Sequence, residues 1–154
     1  MINDQCPAEL CTSFARVRFG PRPFLVQDCG MARHDLEDRL IRFGSTTCGL
    51  AERFPRTPLG QHVALQLVRS STSPFANYGE VQSAESRRDF IHKLGICLKE
   101  LRETRTWLKF VREMNLATPE LVESSLRECD ELLAILATSI KTARRNGERG
   151  ANDH

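Results

Sequence analysis

Apolar positions recur at steps of four and three from residue 35 onward, the period that places side chains on one face of an α-helix. The first such stripe comprises Leu36, Leu40, Phe43, Thr47, Ala51 and Phe54, and two prolines at 55 and 58 end it. The second stripe comprises Leu59, Val63, Leu67 and Ser71. Pro74 predicts a kink in this second helix, because proline removes an intrahelical hydrogen bond and clashes with the preceding turn.

Two longer stripes follow. The third comprises Phe90, Leu94, Cys97, Leu101, Thr104, Leu108 and Val111, after a capping-box-like pair at Ser86 and Asp89. The fourth comprises Val122, Leu126, Cys129, Leu133, Leu136, Ile140 and Ala143, after an N-cap at Thr118 and a proline at the first helical position. The short joint at 115–117 forces these two helices to turn back on each other. The pattern predicts an all-α, antiparallel up-down four-helix bundle over residues 31–146.

The two ends of the chain lack this pattern. Residues 1–30 hold several prolines and no persistent period, which predicts a poorly structured N-terminal extension. One explanation, which we favour, is that Met31 is the biological start and residues 1–30 are a misassigned extension. The other is a loosely packed arm that carries Phe14, Phe19 and Phe24. Residues 147–154 are predicted to be a disordered tail.

Composition favours a globular protein that stays inside the cell. Apolar residues make up 40% of the chain and charged residues 27%, and the net charge is only +2. The first residues do not resemble a secretory signal, and no apolar run approaches the ~20 residues that a membrane span needs. We therefore expect a soluble, cytoplasmic protein with no membrane partner, whose binding depends on how its charges are distributed.

Motifs that would indicate chemistry are missing. The six cysteines include no CxxC pair, and no histidines are spaced as in a zinc protease helix. Residues 44–49 have the glycine spacing of a phosphate loop but lack the lysine that must follow it. The sequence thus predicts no catalytic residue, no metal and no cofactor, and a protein that is not an enzyme.

The third helix predicts a basic stripe opposite its core face. The outward heptad positions are Arg88, His92, Gly95, Lys99, Arg102, Thr106 and Lys109, and Arg105 and Arg112 widen the stripe. A second basic cluster, Lys141, Arg144, Arg145 and Arg149, lies near the end of the chain, whereas the fourth helix is otherwise acidic. Three interpretations stay open: a solvated helix face, binding of a phosphate backbone, or pairing with the acidic helix of a second subunit.

The third helix is also apolar on more than one side. Ile96, Trp107 and Phe110 lie outside its core stripe, and Ile91 and Leu98 widen it further. A wide bundle core would explain this, but we favour an oligomer interface that includes Ile96 and Phe110.

A long run of residues resembles one known family. It comprises residues 66–73 (Gln-Leu-Val-Arg-Ser-Ser-Thr-Ser), 76–78 (Ala-Asn-Tyr), Glu80, 84–86, 89–94 (Asp-Phe-Ile-His-Lys-Leu), Ile96, 98–100, 103–104 and Trp107-Leu108. From residue 51 to about 145 the chain is similar to the four-helix bundle proteins encoded in intervening sequences of large-subunit ribosomal RNA. That family also contains the accessory variability protein of diversity-generating retroelements.

The resemblance implies a homopentamer and, in the retroelement branch, binding of RNA and of a reverse transcriptase. It further implies that a set of motif residues is used at interfaces, namely Arg69, Asn77, Glu80, Glu100, Glu103 and Trp107. Pro74, Phe75 and Gly79 depart from the family, which has a small aliphatic, a glycine and a larger residue there. These departures bear on the path of the second helix.

The sequence therefore predicts an oligomeric, non-catalytic scaffold or adaptor that binds RNA or a protein partner, such as a reverse-transcriptase-like protein, through basic surfaces. The alternative is a purely structural self-assembling protein with no role in nucleic-acid binding.

Overall fold

A computed structural model describes the backbone of residues 30–151 and the side chains of residues 35–146. This part of the chain forms four helices, α1 (Gly30–Ala51), α2 (Pro58–Gln82), α3 (Arg87–Glu113) and α4 (Pro119–Ala151), and contains no strand. The predicted all-α four-helix fold is confirmed. Both interpretations of the N-terminal extension concern residues that, apart from Gly30, lie outside the described part.

Specific contacts join each pair of neighbouring helices. Early α1 meets late α2, because Gln82 Nε2 donates to Glu37 Oε2 over 2.6 Å. The Cys97 thiol of early α3 donates to the carbonyl of Pro74 in late α2. The Cys129 thiol of α4 in turn donates to the carbonyl of Leu101 in α3. Arg39 of α1 binds Glu128 of α4 and so closes the ring of four helices.

Two helix ends differ from the sequence prediction. α1 begins at Gly30, although its apolar stripe begins only at Leu36. α4 continues to Ala151, so residues 147–151 are helical where the sequence predicts a tail. Once a helix is nucleated, each further residue adds one backbone hydrogen bond at little cost, so a helix can extend past the end of its apolar stripe.

Side-chain caps define where α2 and α3 begin. The Ser86 hydroxyl accepts a hydrogen bond from the Asp89 amide, and the Asp89 carboxylate accepts one from the Glu85 amide, which confirms the predicted cap. Lys93 pairs with the same carboxylate and lowers the pKa of Asp89. Thr57 caps α2 by accepting a hydrogen bond from the Gly60 amide, a cap that the apolar pattern did not reveal.

The four predicted stripes supply most of the core, but the predicted Leu59 is 40% exposed at the start of α2, and the register shifts by one residue in α4. Leu132 is fully buried, whereas the predicted Leu133 is only partly buried. Because a period of 3.6 residues allows a step of either three or four after Cys129, the pattern alone cannot choose between these two leucines. Tyr78 and Val81 add to the core at the end of α2, beyond the residues that the stripe identified.

The departures at Pro74 and Phe75 are accommodated inside the bundle. α2 stays helical through Pro74, and the kink itself stays a prediction. Phe75 lies over Gly44 of α1, where a Cβ at residue 44 would approach Phe75 Cε1 to 2.9 Å and the Ser71 carbonyl oxygen to 3.1 Å. A glycine on α1 therefore makes room for an aromatic ring on α2.

The two hairpin joints are tight. A Cβ at Gly60 would lie 2.1 Å from the carbonyl oxygen of Pro55, so the joint between α1 and α2 requires glycine there. Between α3 and α4, Asn115 adopts a left-handed conformation with φ 49°, and the Leu116 amide donates back to the Val111 carbonyl. No helix in the described range is long and apolar enough to cross a membrane.

Candidate nucleic-acid interface

The predicted basic stripe lies on the solvent-facing side of α3. Arg88, Lys99, Arg102 and Lys109 are all exposed, and His92 and Thr106 between them are exposed too. Within residues 35–146, no acidic side chain forms an ion pair with any of these four cations. Their charges therefore face solvent without a partner from the described part of the chain.

Two further arginines of α3 are neutralised by α4. Arg105 Nε lies 2.5 Å from Asp130 Oδ1, and Arg112 Nη1 lies 3.3 Å from Glu123 Oε1. These two arginines do not widen the stripe as predicted, because their charges are compensated within the chain.

The acids of α4 are similarly used inside the chain. Glu128 accepts a bidentate hydrogen bond from Arg39 at 2.6 and 2.9 Å, and Glu131 binds the same guanidinium. These bonds raise the pKa of Arg39 above its ordinary value, so it stays charged. Glu123, Glu128, Asp130 and Glu131 thus form ion pairs within one chain. These four acids are therefore not free to pair with the basic α3 of a second subunit, as one interpretation of the sequence required.

The second basic cluster shares an end of the bundle with the start of the stripe. Contacts from Arg105 to Asp130 and from Arg112 to Glu123 set the antiparallel register of α3 and α4. Extended along both helices, this register places the exposed residues Lys141, Arg144 and Arg145 level with the first turns of α3, where Arg88 lies. Residues 132–140 between them carry no charge. We call this surface the basic face: Arg88, Lys99, Arg102, Lys109, Lys141, Arg144 and Arg145.

The motif residues lie on a different surface, between α2 and α3. Arg69 Nη2 binds Glu103 Oε1 over 2.9 Å across the two helices. The ring of Trp107 makes edge contacts with His62 and Phe110, each with centroids 6.0 Å apart. Glu100 lies one turn from Glu103 on the same side of α3, and Glu80 is exposed on α2.

Asn77 has a local role. Its amide donates to the carbonyl and to the hydroxyl of Ser73 within α2, so it supports its own helix. The structure therefore brings Arg69, Glu103 and Trp107 together across α2 and α3 and leaves Asn77 out of the cross-helix contacts.

The apolar residues outside the core stripe of α3 lie partly in the core and partly at the surface. Leu98 is buried and belongs to a wide core, and Ile91 packs partly against that core. Ile96 is half-buried, and Phe110 is 37% exposed beside Trp107. The interpretation as a wide core therefore holds for Leu98, whereas Ile96 and Phe110 remain available to a partner.

A cleft of about 350 Å³ separates α1 from α4. Its walls comprise Arg39, Arg42, Phe43, Thr46, Ser124, Ser125 and Glu128. The most polar of these groups, Arg39 and Glu128, are bonded to each other, and the Ser125 hydroxyl donates to the Leu121 carbonyl. The cleft thus offers few free polar groups to a ligand.

The cysteines of the bundle are placed as apolar side chains. Burial raises the pKa of Cys97 and of Cys129 to about 12, so both thiols stay protonated at neutral pH. In the part of the chain that the structure describes, no three potential ligands are grouped to hold a metal ion.

Comparison with known proteins agrees with this fold. A family model described as 23S rRNA-intervening sequence protein matches residues 38–138, well over half of the chain. The chain belongs to this family. A solved structure from Bacteroides thetaiotaomicron, described as a protein with unknown function from the S23 ribosomal protein family, is 32% identical with a TM-score of 0.66. The match covers 71% of this chain and 97% of that one. No curated protein matches the chain.

Sequence reasoning missed two features of this family member. The Arg39 contacts with Glu128 and Glu131 join residues about ninety positions apart, and only the register between α1 and α4 reveals them. Leu65, at 70% exposure the most exposed large apolar side chain of the described part, was also missed. The sequence could have predicted its exposure, because residue 65 falls opposite the core stripe of α2.

Proposed function

We propose that this chain is a self-assembling, non-catalytic scaffold that binds RNA through the basic face. The observation that carries the proposal is the set of exposed cations without an acidic partner in the described range, beside arginines that α4 has neutralised. The net charge of the chain is only +2. Because these cations lie together on one face without acidic partners, they concentrate positive potential there.

RNA is favoured over an acidic protein for two reasons. The cations follow α3 from Arg88 to Lys109, about 21 residues or roughly 30 Å of helix, which suits a repeating phosphate backbone better than a compact acidic patch. The family description also refers to ribosomal RNA, which makes RNA the first polyanion to test.

Self-assembly would strengthen such binding. One basic face provides few phosphate contacts, but several copies on one assembly would bind a single RNA with a high effective concentration. The exposed Phe110 and the half-buried Ile96 border the cations on the side of α3 toward α2, and they leave an apolar surface for subunit contact that does not use the cations themselves. A homopentamer is the assembly that the family resemblance implies.

The test is an RNA-binding titration over a range of salt concentrations, with the full chain and a fluorescently labelled single-stranded RNA of mixed sequence. Replacing Lys99, Arg102 and Lys109 together by Gln should weaken binding at least tenfold and flatten the salt dependence. Each lost phosphate contact reduces the log–log slope by about 0.7 for a single strand. Gln has a helix propensity close to that of Lys and Arg, so α3 should stay intact.

The matched control removes three exposed positive charges elsewhere. Replacing Arg42, Arg53 and Arg56 by Gln changes the net charge equally but leaves the basic face unaltered. This control should bind RNA within about twofold of the original chain. Equal losses in both variants would mean that only net charge matters, and no binding by the original chain would favour the purely structural alternative. Binding of an acidic protein that depends on the same three residues, without RNA binding, would replace RNA by a protein partner.

A further inference from the structure

Three aromatic rings meet at the surface where α2 borders α3. The ring of Trp107 contacts the rings of His62 and Phe110 at interplanar angles of 74° and 89°. His62 is exposed and Phe110 is 37% exposed, so both rings offer free surface to a ligand. Trp107 is half-buried and packs against the core, which fixes the position of the group. We call His62, Trp107 and Phe110 the aromatic cluster.

The surroundings of the aromatic cluster are electrically neutral. Apart from His62 itself, residues 58–68 of α2 carry no ionisable side chain. Glu103, one turn before Trp107, is paired with Arg69 over 2.9 Å. Glu113, one turn beyond Phe110, lies 3.5 Å from Arg112. The cluster therefore suits a flat, uncharged group better than a phosphate.

Unpaired cations of the basic face lie close to the cluster on the same helix. Arg102 and Lys109 are exposed within about five residues of Trp107, which is roughly 8 Å along the helix axis. They lie on the outward side of α3, whereas Trp107 lies on the side toward α2. Since a helix with its side chains is only about 10–12 Å across, one ligand can contact both sides.

A single-stranded nucleic acid has both kinds of group in every nucleotide. Its phosphates are charged and its bases are flat aromatic rings, and proteins that bind single strands combine a basic groove with aromatic side chains on which bases stack. In a duplex the bases are already paired and stacked on one another, so their faces are not available to these rings. An apolar protein segment would fill the cluster without using the neighbouring cations.

We propose that the aromatic cluster is a base-stacking site, and that the RNA bound by the basic face is single-stranded with its bases turned toward α2. This inference rests on the proposed RNA binding and specifies the form of the RNA. It assigns the aromatic end of the apolar surface of α3 to RNA. Subunit contact is left to the part around Ile96, which lies about 14 residues, or roughly 21 Å of helix, from Phe110.

The first test uses the fluorescence of Trp107, which is the only tryptophan of the chain. The full chain is titrated with a short single-stranded RNA of mixed sequence, with a strand of equal length that lacks all bases, and with the same RNA annealed to its complement. The single strand should quench the emission of Trp107. The abasic strand should bind at least about fivefold more weakly, and neither it nor the duplex should change the emission.

The second test replaces His62 by Gln and Phe110 by Leu, which removes two rings without changing the net charge. This variant should bind the single strand at least about fivefold more weakly, but with an unchanged salt dependence, because the phosphate contacts remain. Binding of the abasic strand should stay the same. The matched control replaces Ile41 and Leu121, two exposed apolar side chains of α1 and α4, by Gln and should bind like the original chain. Circular dichroism checks that both variants are folded.

The possible failures are distinguishable. If the single strand binds but the abasic strand binds equally well and Trp107 does not respond, the base-stacking site is wrong and the proposed RNA binding stands. Quenching by the duplex as strong as that by the single strand would also overturn it. A smaller assembly mass for the variant without His62 and Phe110 would show that the cluster joins subunits instead. If the original chain binds no RNA, the proposed function and this inference fail together.

Discussion

The two hairpins of the bundle share one apolar core but differ in the contacts around it. Between α1 and α2 the fit is steric, since Gly44 lies against Phe75 and Gly60 lies against the Pro55 carbonyl. Between α3 and α4 the outer contacts are ionic, from Arg105 to Asp130 and from Arg112 to Glu123. A steric contact at this distance tolerates no added atom and does not respond to salt, whereas exposed ion pairs tolerate substitution and are screened.

The difference extends to what each hairpin offers to other molecules. The α1–α2 hairpin contributes a second helix with only two charged residues among 25, whereas the α3–α4 hairpin presents cations that no described acid neutralises, which suit a polyanion. Substitutions at the close-packed Gly44 and Gly60 of the first hairpin should therefore alter stability strongly, and substitutions of exposed cations in the second should alter mainly binding.

The largest effect is expected at Gly60. In Gly60→Ala the new methyl group would overlap the Pro55 carbonyl oxygen, an atom of the backbone that cannot move without opening the joint. We expect the free energy of unfolding to fall by about 3 kcal/mol, the upper part of the range for overpacking. Urea denaturation measures this.

Gly95→Ala on α3 should have the opposite effect to Gly60→Ala. A Cβ at residue 95 meets nothing within 4 Å, so alanine should raise the free energy of unfolding by up to ~1 kcal/mol through helix propensity. Equal effects of the two substitutions would show that the close approach of Pro55 to Gly60 does not restrict residue 60.

A smaller effect is expected at Gly44. In Gly44→Ala the methyl group would approach both Phe75 and the Ser71 carbonyl, and the overlap should outweigh the gain in helix propensity by about 1–2 kcal/mol. Shortening the opposing side chain in Phe75→Leu should reduce this cost. A double-mutant cycle in urea should therefore give a coupling energy of at least ~0.5 kcal/mol. Strict additivity would mean that residues 44 and 75 do not restrict each other.

The smallest effect is expected at the ion pairs of the second hairpin. Replacing Arg105 by Gln and Asp130 by Asn together should lower the free energy of unfolding by less than ~1 kcal/mol, because both side chains are more than one third exposed. The difference from the original chain should shrink further in about 1 M sodium chloride, where screening is strong. A larger loss of unfolding free energy that does not change with salt would mean that this pair contributes by packing. It would weaken the contrast between the hairpins.

The period of apolar residues was sufficient to predict four helices and most of the core, because burial of one helix face needs only local spacing. It could not choose between Leu132 and Leu133, nor pair Phe75 with Gly44, because those outcomes depend on how one helix rotates and slides against another. The exposure of Lys99, Arg102 and Lys109 was predictable from their position opposite the stripe. The neutralisation of Arg105 was not, since the register of α3 against α4 brings Asp130 beside it.

In our proposal the basic face binds RNA and does not join one subunit to the next. Light scattering of the Lys99, Arg102 and Lys109 to Gln variant, with and without RNA, tests this most directly. We expect the variant alone to have the same mass as the original assembly, and to gain little mass when RNA is added at a salt concentration where the original chain becomes saturated. Dissociation of the RNA-free variant into smaller species would contradict the proposal, because it would show that these cations hold subunits together.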